Sequence, residues 1–340
     1  MKLDALRHYW YPAARSEEVG AAPFATTLLD EAIVLWRSPA GVHACQDLCI
    51  HRGSPLSQGW VDDGCLVCPY HAWTYDGSGR CVRIPALPAG APIPAKARVP
   101  AYPCTERYGL VWVCLGEPRQ PVPPFPEWDA PGWERHFAGA FVWQAHATRM
   151  VENFMDLAHL PWVHPGILGD RAQPEVPPVR VEPYSDGLAF DYRLPAPPGA
   201  ARLQGTSGVR LRQRLYAPFT IHQSRVWDGN TLILFFTVQP LGLQRSRRYL
   251  WAVRRGQFAE PITAIQAVLD AIREQDRAIV ERQRPELLPV DLSAEMHLAG
   301  VDAAAVAYRR LLARLGIEGA TAANVPDGER QREASGTYRA

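Results

Sequence analysis

Apolar residues in the first 115 positions fall in short runs or alternate with polar ones, the spacing of half-buried strands. TLLDEAIVLWRSPAGVHACQD (27–47) reads as a hairpin turning at SPAG, and YGLVWVCLG (108–116) as a strand ending at glycine. Turn residues in DDGC and DGSGR separate further short strands. The spacing changes after residue 145. Residues 149–160 suit a helix that ends or kinks near Pro161. Four strands follow: LAFDYRL, VRLRQRLY, TLILFFTVQP and RYLWAV. Apolar residues at Ile265, Val268, Leu269, Ile272, Ile279 and Val280 then repeat with helical period, with Pro285 as the stop. A last helix runs through VDAAAVAYRRLLARLG, capped at Gly316.

Between these halves, residues 117–133 hold six prolines in 17 positions, which predicts an extended connector, since proline fixes φ and removes a backbone donor. The expected organisation is an all-β domain over 1–120, a connector over 121–133, a domain of strands and helices over 134–319, and a polar tail over 320–340. The fold class is therefore α+β. No internal repeat is visible.

The chain has 340 residues, 47% apolar and 21% charged, with a net charge of +1. It can bury a sizeable core, and it lacks the basic excess of a nucleic-acid binder. The longest apolar run, LILFFTV at 232–238, falls far short of the ~20 residues that cross a bilayer. The start, MKLDALRHYW, has no apolar signal core, so a cytoplasmic protein with no membrane or nucleic-acid partner is expected. Seven cysteines, an odd number, in that compartment point to metal binding or catalysis before disulfides. Cys81, Cys104 and Cys114 sit in apolar surroundings as small hydrophobes.

The remaining cysteines carry the chemistry. CIHRGSP (49–55) and CPYHAW (68–73) each offer one Cys and one His: Cys49-x-His51 and Cys68-x-x-His71. Zinc fingers pair Cys with Cys and His with His. Mixed pairs suit a cluster whose two irons differ, one held by two thiolates and the other by two imidazoles, as in a Rieske 2Fe-2S centre. Cys45, Cys49, Cys65 and Cys68 compose an alternative four-cysteine zinc site, which leaves His51 and His71 unexplained. Farther on, NFMDLAHLPWVH (153–164) gathers Asn153, Asp156, His159 and His164, two imidazoles and a carboxylate that point to a second metal. A regular helix does not bring His159 and His164 to one face, and Pro161 between them accounts for their convergence. Asp156 and His159, three apart, would share a helix face.

The segment CIHRGSPLSQGWVDDGCLVCPYHAWTYDGSGRC resembles the Rieske domain of the Rieske-type non-haem iron oxygenases. Length and motif order are most similar to the vanillate O-demethylase, toluenesulfonate methyl-monooxygenase and dicamba demethylase group of oxygenase components. The resemblance implies a helix-grip, START-like catalytic domain with an antiparallel sheet. It implies that Cys49, His51, Cys68 and His71 hold the cluster and that His159 and His164 hold a mononuclear Fe(II). The family's ligand helix resembles REQDRAIVERQ and selects Asp276 as third ligand; Asp270, Glu274 and Glu281 compete with it. Asp156 would not bind iron but bridge His71 of one subunit to His159 of another, with Asn153 near the iron. O2 is the implied co-substrate and a small, aromatic molecule the substrate, hydroxylated or oxidatively demethylated. Ring dihydroxylation of phthalate type is the second outcome, and a Rieske electron carrier without oxygenase activity is the reading from another class. With no G-x-G-x-x-G in the chain, NAD(P)H belongs to a partner reductase, with or without a ferredoxin. The bridge implies a homotrimer. Arg210, Arg212 and Arg214 alternate on one strand face, either gripping an anionic substrate or facing solvent. Arg245, Arg247, Arg248, Arg254 and Arg255 either dock an acidic electron donor or are solvated.

Overall fold

The computed structural model describes residues 3–195 and 208–317; the tail expected over 320–340 lies outside the described residues. The chain divides into two compact units. One comprises residues 6–124 with 239–242, the other residues 125–238 with the chain from 243.

The first unit is built from eleven short strands. β1 (Tyr11–Arg15) pairs with β11 (Leu110–Val113), which pairs with β10 (Cys104–Arg107). β2 (Phe24–Leu28), β3 (Glu31–Ser38), β4 (Gly41–Gln46) and β9 (Ala101–Tyr102) form a second antiparallel sheet. β5 (Trp60–Asp62), β6 (Cys65–Val67), β7 (Thr74–Tyr75) and β8 (Cys81–Arg83) form a third. The SPAG turn closes the β3–β4 hairpin, with Ser38 opposite Gly41. A second hairpin, β2–β3, turns at Leu29 and Asp30, both with positive φ (54° and 64°). Leucine is a poor signal for such a turn. It is held there because the Leu29 and Asp30 amides donate to the Pro240 and Leu241 carbonyls at 2.7 and 3.0 Å. Under the third sheet lies a core of Trp36, Cys45, Leu56, Leu66, Tyr75 and Cys81.

The second unit is organised on a seven-stranded sheet. Its strands are β12 (Glu134–Trp143), β13 (Val181–Tyr184), β14 (Gly187–Leu194), β15 (Val209–Tyr216), β16 (Thr220–Trp227), β17 (Asn230–Gly242) and β18 (Arg245–Arg255), in the spatial order β12-β18-β17-β16-β15-β14-β13. Four were expected from their apolar runs; β12, β13 and β16 were not. In β16, TIHQSRVW, the pattern is inverted: Gln223 and Arg225 are buried while Val226 is 42% exposed, so alternation of polarity gives no inward face. The prolines at 117–133 are only partly a free connector. Phe125 stacks on Phe235 with centroids 4.3 Å apart, and Glu127 pairs with His222 at 3.0 Å, which fastens this stretch to the sheet.

Among the described residues four α-helices accompany the sheet: α1 (Ala147–Met155), α2 (Leu160–Val163), α3 (Gln266–Val280) and α4 (Ala303–Arg314). α4 ends one residue before Leu315, and Gly316 follows with φ 71°, the left-handed residue that closes a helix end. The helix expected over 149–160 is corrected to two. α1 ends at Met155 because Asp156 turns into extended backbone (φ −85°, ψ 124°), and its carboxylate accepts the Ala158 amide at 2.7 Å, a local bond that competes with helix continuation. Pro161 therefore does not kink a helix. It stands in the first turn of α2, where its missing N–H costs nothing.

Candidate metal centres

Cys49 and His51 lie on the loop from β4 to β5, Cys68 and His71 on the loop from β6 to β7. The loops are built alike. The Cys49 amide donates to Ser54 and the Gly53 amide returns to Cys49, both at 2.9 Å; the Cys68 amide donates to Trp73 at 2.9 Å and the Ala72 amide returns to Cys68 at 3.0 Å. Each reversal uses a left-handed residue, Gly53 (φ 69°) and Ala72 (φ 53°). The second loop thus bears a Cβ where the first has none, at a cost of roughly 1 kcal/mol.

Both thiols are buried. Burial pushes the Cys49 thiol up, and the neighbouring Cys68 thiol adds to the rise; Tyr75 Oη lies 3.1 Å from Cys49 Sγ. The His51 and His71 ring centroids are 4.6 Å apart, and His51 stacks on Trp73 at 4.5 Å. His51 Nδ1 is buried and makes no hydrogen bond among the described residues. An orphaned ring nitrogen beside two thiols fits an iron–sulfur cluster, whose positive irons would draw the thiols to thiolate. Cys45 is elsewhere, in β4 opposite Val34, its thiol pushed up to about 12 by burial. No four-cysteine site forms among the described residues: the group of three or more metal-binding side chains found there is His159, His164 and Asp276, with ligand atoms within 4.8 Å of one another.

This second centre draws three residues from two helices. His159 and His164 flank α2 as its N-cap and C-cap, and their rings meet edge to face at 5.3 Å. Asp276 lies on the buried face of α3, in phase with Leu269 and Val280. Asp276 Oδ1 is 2.9 Å from His164 Nε2 and 3.6 Å from His159 Nε2. Metal bonds of about 2 Å to imidazole and carboxylate place ligand atoms roughly 3–4 Å apart, so the three fit one ion. The competing carboxylates are engaged elsewhere: Asp270 and Glu274 with Arg273, and Glu281 with the Gln144 amide.

The neighbours orient these ligands. Gln275 Oε1 faces His164 Nδ1 at 2.8 Å, so consecutive residues of α3 address both ring nitrogens of one histidine. Asn153 Nδ2 donates to Asp276 Oδ1 at 3.3 Å. Asp156 Oδ2 lies 3.4 Å from His159 Nδ1, brought there by the turn at Ala158 and not by a shared helix face. Burial pushes the Asp156 carboxyl up, but His159 and the Ala158 and His159 amides outweigh it and hold it below the usual range.

The site opens on a cavity that Tyr192, Leu194, Gln223, Arg225, Leu234, Arg248 and Leu250 of the sheet also line, the concave, mostly apolar setting with a few polar groups that small-molecule sites favour. Gln275, Gln223 and Arg225 are cavity or site residues the sequence did not single out, and Arg248 was named there only as a donor-docking or solvated arginine. The one available signal was the inverted Arg225–Val226 pair. Arg210 and Arg214 are exposed on the outer face of β15, and Arg212 pairs there with Asp191 and Glu182, so these three do not grip a substrate in the cavity. Of the 245–255 arginines, Arg248 and Arg254 are buried, 3% and 8% exposed, and are unavailable for docking a donor.

Residues 9–103 match the Rieske [2Fe-2S] domain, and residues 143–318 the vanillate O-demethylase oxygenase C-terminal domain. Methylxanthine N1-demethylase of Pseudomonas putida is 31% identical over 325 residues, covering 92% of this chain and 90% of its own. The oxygenase component of dicamba O-demethylase from Stenotrophomonas maltophilia is 37% identical over 167 residues, 48% of each chain. The solved structure of Pseudomonas putida CBB5 NdmA with caffeine superposes with a TM-score of 0.83 at 29% identity, over 91% of this chain and 90% of that one. The chain belongs to the Rieske non-haem iron oxygenases. It is the oxygenase component, with a 2Fe-2S cluster, a mononuclear iron, O2 as co-substrate and electrons from a partner reductase. The α+β class expected from the sequence is the one found. No helix among the described residues is long and apolar enough to cross a membrane.

Proposed function

We propose that this oxygenase removes a methyl group from nitrogen or oxygen on an aromatic or heteroaromatic ring by hydroxylating the methyl carbon. The observation that carries the reading is the facial set His159, His164 and Asp276 at the edge of a largely apolar cavity; the demethylases among its relatives support it. Iron held there supplies O2 activation. The chain's residues supply position: Gln275 orients His164, Asn153 holds Asp276, and the leucines of the cavity exclude water from the methyl group. One oxygen atom enters the methyl carbon and leaves with it as formaldehyde. The other leaves as water, with two electrons and two protons drawn from the reductase system.

In this reading Cys49, His51, Cys68 and His71 hold the cluster, and Asp156 links His159 to the cluster of a second copy. Two exposed apolar groups support a homotrimer: Ile50 and Tyr70 beside the cluster ligands, and Ile279 and Met296 on the Asp156 side. A cytoplasmic setting suits the free thiols.

The test is reconstitution with a reductase and a panel of N- and O-methylated aromatics, following O2, formaldehyde and product mass. Formaldehyde released in step with O2 consumption is expected. A cis-diol product without formaldehyde overturns demethylation in favour of dihydroxylation, and O2-independent turnover or zinc without acid-labile sulfide overturns the oxygenase assignment of these ligands.

A further inference from the structure

Two guanidiniums in the cavity form no ion pair. Arg225 on β16 and Arg248 on β18 line it, 5% and 3% exposed, and neither forms an ion pair with a carboxylate among the described residues. Asp276, Asp270 and Glu274 act on Arg248 only through space: Asp276 is committed to its two histidines, and Asp270 and Glu274 are paired with Arg273. A buried cation without a partner is costly, and desolvation holds both guanidiniums below their usual range, Arg248 to about 10.

Each arginine is nevertheless held in place by neutral groups. Arginine has only donors, so its orientation propagates. Arg225 Nε donates to Gln223 Oε1 at 2.8 Å, Gln223 Nε2 donates to Gln213 Oε1 at 2.6 Å, and Gln213 Nε2 donates to the Phe154 carbonyl. This relay from β16 through β15 to α1 fixes Arg225 through Nε and leaves Nη1 buried with no partner among the described residues. Arg248 lies against the rings of Trp143 and Phe236, at 5.8 and 6.0 Å from their centroids, with Nε buried and unpartnered. Two anchored guanidiniums with unused donors are the complement of a planar carboxylate.

We propose that the substrate is a methylated aromatic carboxylate, its carboxylate bound by Arg225 and Arg248 and its ring packed among Leu157, Leu160, Leu194, Leu234 and Leu250. This rests on the reading that the cavity beside the iron ligands receives the substrate. A neutral, carbonyl-bearing ring is the rival occupant. It can accept hydrogen bonds, but it leaves both buried charges uncompensated.

The test uses the full-length, metal-loaded protein without O2. Methoxy- and N-methylamino-benzoates, with the substituent at each ring position, are titrated calorimetrically against their carboxamides. At least one benzoate is expected to bind tenfold or more tightly than its carboxamide, and Arg225→Met and Arg248→Met each to lose at least tenfold of that affinity while cluster absorbance is unchanged. The same substitutions are expected to raise the melting temperature of the ligand-free protein, because they remove an unpaired buried charge. If no benzoate outbinds its carboxamide, the proposal is overturned. A lowered melting temperature with undiminished binding also overturns it, by making the arginines structural. Formaldehyde from carboxamides but not benzoates leaves demethylation standing and removes the carboxylate. Arginine-dependent benzoate binding with no formaldehyde from any methylated compound does the reverse.

Discussion

Gln275→Leu is the perturbation that most directly probes how the iron site is set. His164 is 0% exposed, and the partners of its ring nitrogens are Gln275 Oε1 at 2.8 Å and Asp276 Oδ1 at 2.9 Å. With Nδ1–H donating to Gln275, the free electron pair of Nε2 is directed at the Asp276 side, where a metal would sit. Leucine keeps the volume and removes the acceptor. Two independent magnitudes converge. An orphaned buried donor costs about 1–3 kcal/mol, and loss of a group that orients a metal-bound histidine weakens metal binding about 10–100-fold, or roughly 1.4–2.8 kcal/mol. The assay is anaerobic competition for Fe(II) between the protein and a chelator, with the cluster spectrum as internal control. A 10–100-fold loss of affinity with a normal cluster is expected, and Gln275→Glu, which keeps the acceptor, should retain or strengthen binding. Unchanged Fe(II) affinity in Gln275→Leu would refute the idea that this amide sets the ring.

Three further outcomes are expected. Asp156→Asn should keep the iron and sulfide content of the parent yet slow oxidation of the reduced cluster in a single turnover by tenfold or more; parent-like rates would remove the bridge. Arg309→Ala should destabilise the second unit by about 3–5 kcal/mol in urea titrations, because Arg309 holds Glu152 of α1 through Nε at 2.6 Å and Nη2 at 3.0 Å, nearly out of solvent; a loss below 1 kcal/mol would contradict this. His146, which caps α1 and is buried, is pushed down to about 4 by burial and then by Arg149. The unfolded chain therefore binds the extra proton between about pH 6.5 and that value, so stability is full above pH 6.5 and falls by about 3 kcal/mol as pH drops through this window. His146→Asn, also a good cap, should flatten that slope, and an unaltered slope would place the titration elsewhere.

The candidate ligands were legible because their chemistry depends on residue type and short spacing: Cys49 with His51, Cys68 with His71, and His159 with His164. Asp276 was singled out by the likeness of REQDRAIVERQ to the family's ligand helix, and the structure adds that it falls in register with Leu269 and Val280 where Asp270 and Glu274 do not. What escaped was set by distant contacts. The Leu29–Asp30 turn exists because the Pro240 and Leu241 carbonyls accept its amides. α1 stops at Asp156 because a side chain captures the Ala158 amide. β16 was missed because its inward face is polar, and that polarity belongs to the cavity. The residues that defeat binary patterning in this chain are among those that line the cavity.

With iron held as proposed, the placement of its ligands along the chain has a consequence for how the protein matures. His164 and Asp276 are separated by 112 residues, and β13 to β18 all lie between them. The ion cannot be gripped until the sheet has closed and brought α3 back to α2. Iron loading is therefore a late event that seals a finished domain, and it stabilises that domain in proportion to metal supply. A cell short of iron would accumulate chains whose sheet is complete but unsealed, and these would be the first cleared by its proteases. The abundance of the enzyme, and not only its activity, would then track iron.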